Sequence, residues 1–192
     1  MKPLIKELPE YDQFVLIEGL TTDKVVEFER LMRLLKEEAP NSLIQLMDGR
    51  GIIGYDHVFF AVLNSLNARR SKRMICEDLS LEIIVYASAQ RQIKSSVEML
   101  GVKEDSRQLV LAAISKDRGE LMRLKESIRK VEGLHLDDSF LSSWSQERLE
   151  MAKKMFRVSD AEFKSILLKD VPAREVMEKI VIEKMALLSL SV

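Results

Sequence analysis

Three short apolar runs punctuate the chain, and each predicts a β-strand. They cover residues 14–20, 43–47 and 109–114, and they are rich in Val, Ile, Leu or Phe. Residues of this kind favour strands when turn-forming or polar residues close the run, as Gly19, Thr21 and Thr22 close the first. We therefore expect three strands, separated by longer segments with a different periodicity.

The longer segments repeat apolar residues every three or four positions, which predicts amphipathic helices. Helices are expected over residues 55–70, 91–100, 117–131 and 145–156, then from 159 and from 172 onward. The first helix should follow the first strand, capped by Thr22 or Asp23. Its apolar face would carry Val25, Phe28, Met32 and Leu35.

Capping residues support several of these starts. Asp117 with Glu120 and Ser159 with Glu162 both have the spacing of a capping box. Ser145 is a suitable N-cap for the helix that follows it. At the last helix, Pro172 occupies a first-turn position, where the missing proline N–H does no harm.

One segment is ambiguous, because residues 81–86 fit either a strand or a helix. The β-branched Ile83, Ile84 and Val85 favour a strand, whereas Leu81, Ile84 and Val85 also share a helical face. Counted either way, a few strands stand among many helices. We therefore predict an α+β fold and a single domain over residues 1–192.

Composition indicates a folded protein that is not a general nucleic-acid coat. Of the 192 residues, 46% are hydrophobic and 32% are charged, with a formal net charge of -1. Cys76 is the single cysteine, and His57 and His135 are the two histidines, so neither a disulfide nor a zinc ligand set is expected. A charged start and the absence of a long apolar run predict a cytoplasmic protein without a membrane span.

The most suggestive motif for an enzyme is Gly49-Arg50-Gly51-Ile52-Ile53-Gly54, which has the G-x-G-x-x-G spacing of dinucleotide-binding loops. Such a loop needs an acidic residue at the end of a second strand about 20 residues later. Here that distance falls before the next apolar segment, at Glu77. We interpret the motif as a turn between a strand and a helix. No combination of nucleophile, base and orienting group predicts a catalytic site.

Two other features suggest binding. The run Arg69-Arg70-Ser71-Lys72-Arg73 is either a solvated helix end or a phosphate-binding patch. The tail over residues 180–190 is apolar on nearly every side, which is typical of a core helix or of a helix that docks into a partner.

Four features that follow one another over most of the chain form a recognisable set: residues 54–64 (GYDHVFFAVLN), 80–88 (SLEIIVYAS) with Arg91-Gln92-Ile93, the turn at Gly101, and residues 183–190 (EKMALLSL). Together they resemble the PRPK-binding protein family, the kinase-binding regulatory subunit of the KEOPS complex. The resemblance implies a small, mostly antiparallel sheet surrounded by helices, with a C-terminal helix, and favours a helix over residues 81–86.

The resemblance also implies a function. KEOPS transfers a threonylcarbamoyl group to the adenosine beside the anticodon of certain tRNAs, and another subunit performs that transfer. This chain would bind and regulate the kinase-like ATPase subunit and recruit tRNA by its 3′ CCA end, with no cofactor and no small-molecule substrate. The alternatives are a stand-alone RNA-binding module and a nucleotide-binding enzyme that uses the 49–54 loop.

Two sets of residues are the candidates for these contacts. We expect tRNA to bind His57, Arg69, Arg70, Lys72 and Arg73, with Arg91, Gln92 and Lys94 adjoining them. We expect the kinase-like partner to bind Ile180, Glu183, Lys184, Leu187, Leu188 and Leu190.

Overall fold

A computed structural model describes residues 5–25, 27–166 and 171–190, apart from the side chain of Leu190. In chain order, these residues form β1 Lys6–Leu8, β2 Gln13–Thr22, α1 Phe28–Glu38, β3 Leu43–Asp48, α2 Tyr55–Ser71, α3 Leu79–Ala87, α4 Ile93–Leu100, β4 Gln108–Ser115, α5 Arg118–Ile128, β5 Leu134–Leu136, α6 Ser139–Ser142, α7 Gln146–Met155, α8 Asp160–Ile166 and α9 Ala173–Leu190.

These elements group into two units. The first, which we call the sheet unit, comprises Met1–Arg50 and Gly101–Phe140; the second, the helical unit, comprises Gly51–Leu100 and Leu141–Val192. In the described part of the chain, no helix combines the length and the apolar content needed to cross a bilayer.

The sheet unit contains a five-stranded sheet in the order β1-β2-β4-β3, with β5 pairing with β2 as well. Every pairing is antiparallel; Leu16 of β2 and Ile44 of β3, for example, both lie opposite Ala113 of β4. The α+β class, the antiparallel sheet and the three predicted strands are thus confirmed. Strands β1 and β5 were missed because three residues are too few to show a periodicity.

The core of the sheet unit forms where α1 and α5 cover the sheet. Leu35 of α1 and Leu121 of α5 pack with Leu16, Leu46 and Leu111 from the strands, and none of the five is more than 1% exposed. Each such leucine contributes about 1.5–3 kcal/mol through burial. Alternate residues of β2 and β4 therefore specify which face of the sheet the two helices cover.

The helical unit contains the segment that was ambiguous in the sequence, and there it is helix α3. Asp78 caps this helix by accepting hydrogen bonds from the N–H groups of Ser80 and Leu81. All residues of α3 from Glu82 to Ala87 are buried. A helix surrounded by protein needs no polar face, so its sequence carries none of the periodicity that distinguishes a helix from a strand.

Other boundaries test the capping predictions. Ser145 accepts from Arg148 N–H, and Ser159 and Glu162 exchange both bonds of a capping box, which confirms those starts. Asp117 also caps α5, through Gly119 N–H. By contrast, neither Thr22 nor Asp23 caps α1. That helix begins at Phe28 because Thr22 continues β2 and pairs with β5.

Glu120 does not close a capping box, because its carboxylate is buried in the sheet unit. It accepts hydrogen bonds from Asn41 N–H at 2.9 Å and from the hydroxyls of Ser42 and Ser115, each at 2.7 Å. Burial opposes the ionisation of Glu120, but these three donors outweigh it and hold the pKa of the carboxyl below its usual value. The ionised carboxylate thus ties α5 to the loop before β3 and to the end of β4.

We expect Glu120→Gln to lower the free energy of unfolding by about 1–3 kcal/mol, because the amide NH2 would face donors that then lack an acceptor. Since the folded pKa of Glu120 is depressed, its contribution is complete above the ordinary glutamate pKa and is lost as pH falls through the folded value. Urea unfolding of the parent and of Glu120→Gln should show a smaller difference in unfolding free energy at pH 4 than at pH 7. An equal difference at the two pH values would contradict the role of the ionised Glu120.

Candidate binding surfaces

The turn over residues 49–54 is packed against protein atoms. All of its residues except Arg50 are buried, and a side chain at Gly51 or Gly54 would collide with Leu100 or Glu178 respectively. A dinucleotide loop instead uses small glycines so that a pyrophosphate can approach the backbone. The glycines here make room for neighbouring side chains, which supports the interpretation of the motif as a structural turn.

Arg50, the exception in this turn, is paired with carboxylates of the protein. Its guanidinium lies 2.6 Å from Asp48 and 3.0 Å from Asp105. Burial opposes ionisation of Asp48, but hydrogen bonds from Arg50 and Ser106 outweigh it and lower the pKa of that carboxyl. The positive charge of Arg50 thus orders the turn and is already compensated.

His57 is fully buried in the helical unit. Nδ1 accepts from Ile53 N–H at 3.1 Å, and Nε2 donates to the carbonyl of Ala87 at 2.7 Å. Burial lowers its pKa to about 4, although the Ala87 carbonyl and the charge of Glu178 act in the opposite direction. A ring with no exposed surface and two occupied nitrogens cannot stack on a base, so we remove His57 from the proposed tRNA surface.

The basic run lies at the end of α2, and its four cationic residues are all exposed. Arg69 and Arg70 occupy the last turn, and Lys72 ends the helix in the left-handed conformation, with φ 58°. Cations at a helix C-terminus complement the helix dipole.

A buried carboxylate holds the loop that follows the run. Glu82, which is 0% exposed, accepts hydrogen bonds from Ile75 N–H and, at 2.8 Å, from Cys76 N–H. Burial, with Glu82 beside it, raises the pKa of the Cys76 thiol to about 12, so the sulfur stays protonated and unreactive at neutral pH. Glu82 is a residue that sequence reasoning missed, since a lone acid within an apolar segment has no distinctive spacing.

Arg91, Gln92 and Lys94 are exposed as well, but they do not adjoin the run. The ring of His57, near the start of α2, bonds to Ala87 at the end of α3, and Glu82, near the start of α3, holds Ile75 just after the end of α2. These two contacts show that α2 and α3 are antiparallel, with the end of α3 beside the start of α2. Residue 91 follows the end of α3, whereas Arg70 lies 13 residues beyond His57, about 20 Å along the helix. The continuous patch predicted from sequence is therefore corrected to two separate basic clusters.

The C-terminal helix α9 is mostly core with one exposed face. Ile180 and Leu188 are 1% and 9% exposed, so both belong to the interior. Lys184 forms an ion pair with Glu162 at 3.0 Å. Glu183 and Leu187 are exposed, Leu187 to 53%. The predicted partner surface thus retains Glu183 and Leu187, while the side chain of Leu190 lies outside the described residues.

Glu178 of α9 was also missed, because its role depends on a tertiary contact. Its carboxylate accepts a hydrogen bond from the backbone N–H of His57 at 3.1 Å and pairs with Arg174 at 2.7 Å. The start of α2 has no capping side chain of its own. Glu178, 121 positions away in the chain, instead accepts a hydrogen bond from one of the first backbone N–H groups of that helix. Over residues 5–25, 27–166 and 171–190, no group of three or more His, Cys, Asp or Glu could hold a metal ion.

The buried His57 predicts a pH effect on stability. Its pKa falls from 6.5 to about 4 on folding, so between these values the unfolded chain binds a proton that the folded chain does not. As the pH is lowered through this window, the free energy of unfolding should therefore decrease by up to about 1.4 kcal/mol per pH unit. Above the window, His57 should have no effect on the pH dependence. Urea unfolding from pH 7 to pH 4.5 measures this. His57→Gln should reduce the slope of the unfolding free energy against pH, whereas His135→Gln, at an exposed position, should leave that slope unchanged. Equal slopes in the parent and in His57→Gln would contradict the role given to His57.

Comparison with known proteins places these surfaces in context. Residues 23–189 match the family described as kinase binding protein CGI-121. One curated relative, the regulatory protein Cgi121 of Methanocaldococcus jannaschii, is 27% identical over 97 residues, which are 50% of this chain and 61% of the relative. The chain thus spans about three fifths of the length of that relative. The family match covers most of the chain, and the protein belongs to the CGI-121 kinase binding protein family.

Proposed function

We propose that this protein is a non-catalytic subunit of the KEOPS complex, which binds and regulates the kinase-like ATPase subunit and recruits tRNA by its 3′ CCA end. The observation that carries the proposal is the family match over residues 23–189, to proteins described as kinase binding. The name of the relative, a regulatory protein, agrees with it.

The residues that could have been considered for catalysis have structural roles, so we assign no catalytic role to them. The 49–54 turn is filled by neighbouring side chains, Arg50 is paired with Asp48 and Asp105, and the His57 ring is fully engaged. The alternative of a nucleotide-binding enzyme rested on this same turn, and its support is weakened accordingly.

For the kinase-like partner, we propose the exposed face of α9. Glu183, Ala186 and Leu187 are exposed along this face, while Met185 and Leu188 on the opposite side are buried. An exposed leucine on a helix that the core holds rigidly can enter an apolar pocket at little cost in conformational entropy. Glu183 beside it would add a charge at the rim of such a contact.

We expect Leu187→Asp to weaken association with the kinase-like subunit by about 2 kcal/mol or more, roughly 30-fold, because the carboxylate would be buried without a partner. Leu187 is exposed, so the free energy of unfolding should change little. Co-purification and titration calorimetry with the kinase-like subunit test this.

Met151→Asp is the matched control, since Met151 is 40% exposed on α7 and the change from an apolar to a charged side chain is the same. Equal binding by parent and Leu187→Asp would reject the α9 surface. Truncation after Lys184 is a poorer test, because it removes Met185 and Leu188 from the core.

For tRNA, we propose the basic run at the end of α2. Its cationic residues are exposed, and the helix end and Glu82 hold the backbone on either side of them. A cluster of this size neutralises only a few phosphates, which suits recognition of one end of a tRNA by a protein without a large net charge. Arg91, Gln92 and Lys94 form a second, separate candidate.

Arg70→Glu/Lys72→Glu should weaken tRNA binding and reduce the slope of log affinity against log salt by about 1.4, since each phosphate contact on a single strand contributes about 0.7. Filter binding across a salt series, with tRNA that has or lacks its 3′ CCA, measures both effects. Arg91→Glu/Lys94→Glu tests the second cluster separately.

The control, Arg30→Glu/Arg33→Glu, reverses two exposed charges on α1 and so has the same effect on net charge. Unchanged binding by the Arg70→Glu/Lys72→Glu variant would leave the run without a role. If the parent protein binds tRNA while no kinase-like partner is recovered, the chain is instead a stand-alone RNA-binding module.

A further inference from the structure

The sheet unit contains a cavity that neither proposed surface uses. It has a volume of about 450 Å³ and lies beside α1, between that helix and the turn from α5 to β5. Its floor is apolar, because the buried side chains of Leu31, Leu35, Leu109 and Leu134 line it. Leu34 also lines the cavity, but this side chain is 40% exposed. We call this feature the α1 groove.

Cations gather at the end of the groove where α1 begins. Lys24, Arg30 and Lys130 line this end, together with the acids Glu27 and Glu132. Ion pairs join Lys24 to Glu132 at 2.6 Å and Arg30 to Glu27 at 3.5 Å, and all four of these side chains are more than half exposed. Lys130 forms no ion pair with a described residue. Three cations against two acids leave an excess of one positive charge at this end.

The opposite end of the groove is acidic. Glu37 and Glu38, at the end of α1, line it, and no cation among the described residues lines it there. Neither carboxylate forms an ion pair with a described residue. Arg30 and Glu38 are each four residues from Leu34, so the three side chains share one face of α1. The groove therefore has a positive end and a negative end, with an exposed leucine midway between them.

The positive end is held in shape by Gly133. This glycine has φ 77°, and a Cβ atom there would lie 2.8 Å from Cδ of Lys24, so the stem of that lysine packs directly on the glycine backbone. Glycine tolerates both this conformation and this close approach. The Lys24 ammonium is thus kept at the edge of the groove, beside Glu132. A surface ordered in this way loses little conformational entropy when a partner binds.

We infer that the α1 groove is the contact between two copies of this chain, related by a two-fold axis that passes near Leu34. Such an axis sets the two α1 helices antiparallel, so the positive end of each groove meets the negative end of the other. Each Arg30 then lies opposite the partner's Glu38. The two copies of Leu34 meet at the axis and remove each other, and the apolar floor of the groove, from water.

An apolar groove can also hold a small molecule or a segment of another protein. The distribution of charge favours a second copy, because opposite charges at equal distances from a central leucine make the surface complementary to itself. A contact along one short helix is small for an interface, so we expect a weak dimer that forms at high concentration. The inference does not rest on the proposed function, since the surfaces proposed for the kinase-like subunit and for tRNA belong to the helical unit.

Sedimentation velocity from micromolar to near-millimolar protein tests the inference. The parent should convert from monomer to dimer as concentration rises, and Leu34→Asp should weaken the dimer at least about tenfold, because two carboxylates would meet at the axis. Met151→Asp is the matched control, since Met151 is also 40% exposed and lies on α7, outside the groove. A parent that stays monomeric throughout, or a dimer that Leu34→Asp leaves intact, overturns the inference.

Charge reversal tests the pairing of the two ends. Arg30→Glu/Lys130→Glu makes both ends of the groove negative, and Glu37→Lys/Glu38→Lys makes both positive. Each variant alone should stay monomeric at concentrations at which the parent dimerises, because like charges would face each other. An equal mixture should form a mixed dimer, which native mass spectrometry detects when one variant is isotopically labelled. Variants that dimerise alone, or a mixture that stays monomeric, would reject the antiparallel pairing.

Two further variants separate the groove from net charge and locate the axis. Arg33→Glu/Lys36→Glu reverses two exposed cations of α1 that do not line the groove, so it should dimerise like the parent; loss of the dimer here overturns the role of the groove. Leu34→Cys should form a disulfide-linked dimer under mild oxidation, because a residue at a two-fold axis meets its own copy. Val25→Cys is 61% exposed in the parent side chain but distant from the axis, so it should link more slowly, and the native Cys76 is buried. Equal rates at positions 25 and 34 would exclude an axis at Leu34.

Discussion

Both candidate surfaces, the basic run at the end of α2 and the exposed face of α9, depend on the hydrogen bonds of the buried His57. Its two ring nitrogens join Ile53, in the turn before α2, to Ala87 at the end of α3, while its backbone N–H donates to Glu178 of α9. Three helices are thus connected around one buried residue. The direction of α2, and with it the placement of the basic run, follows from this connection, as does the attachment of α9.

Buried carboxylates perform a related task elsewhere in the chain. Asp48, Glu82, Glu120 and Glu178 are all nearly inaccessible to solvent, and each accepts hydrogen bonds from backbone N–H groups of loops or helix starts. The oxygens of one carboxyl group can accept several hydrogen bonds, and burial makes an unpaired donor costly. These four acids therefore order irregular segments that lack the regular hydrogen bonding of a helix or strand. Their geometry is that of structural supports.

Within the helical unit, the proposed contacts with protein and with RNA use different chemistry. The α9 face offers Leu187 beside an acidic residue, whereas α2 ends in cations. A polyanion would be repelled by Glu183, and an apolar partner would gain little from exposed arginines. The distribution of charge thus separates the two proposed partners, although α2 and α9 are linked through Glu178 and His57.

Much of the fold was determined by patterns that the sequence carries locally. The apolar runs of β2, β3 and β4, the caps at Asp117 and Ser145, and the box at Ser159 depend on residues close together in the chain, and all of them were predicted. The exposure of the basic run also followed from its composition, because isolated cations are too costly to bury.

Tertiary structure decided what depends on residues far apart. Only the antiparallel packing of α2 and α3 shows that Arg91 lies away from Arg70, and only the contacts of His57 show that it is buried. Helix α3 has no polar face because protein surrounds it, so its periodicity could not identify it. On α9, the apolar side chains look alike in sequence. The neighbouring helices determine that Ile180 and Leu188 are core and that Leu187 is exposed.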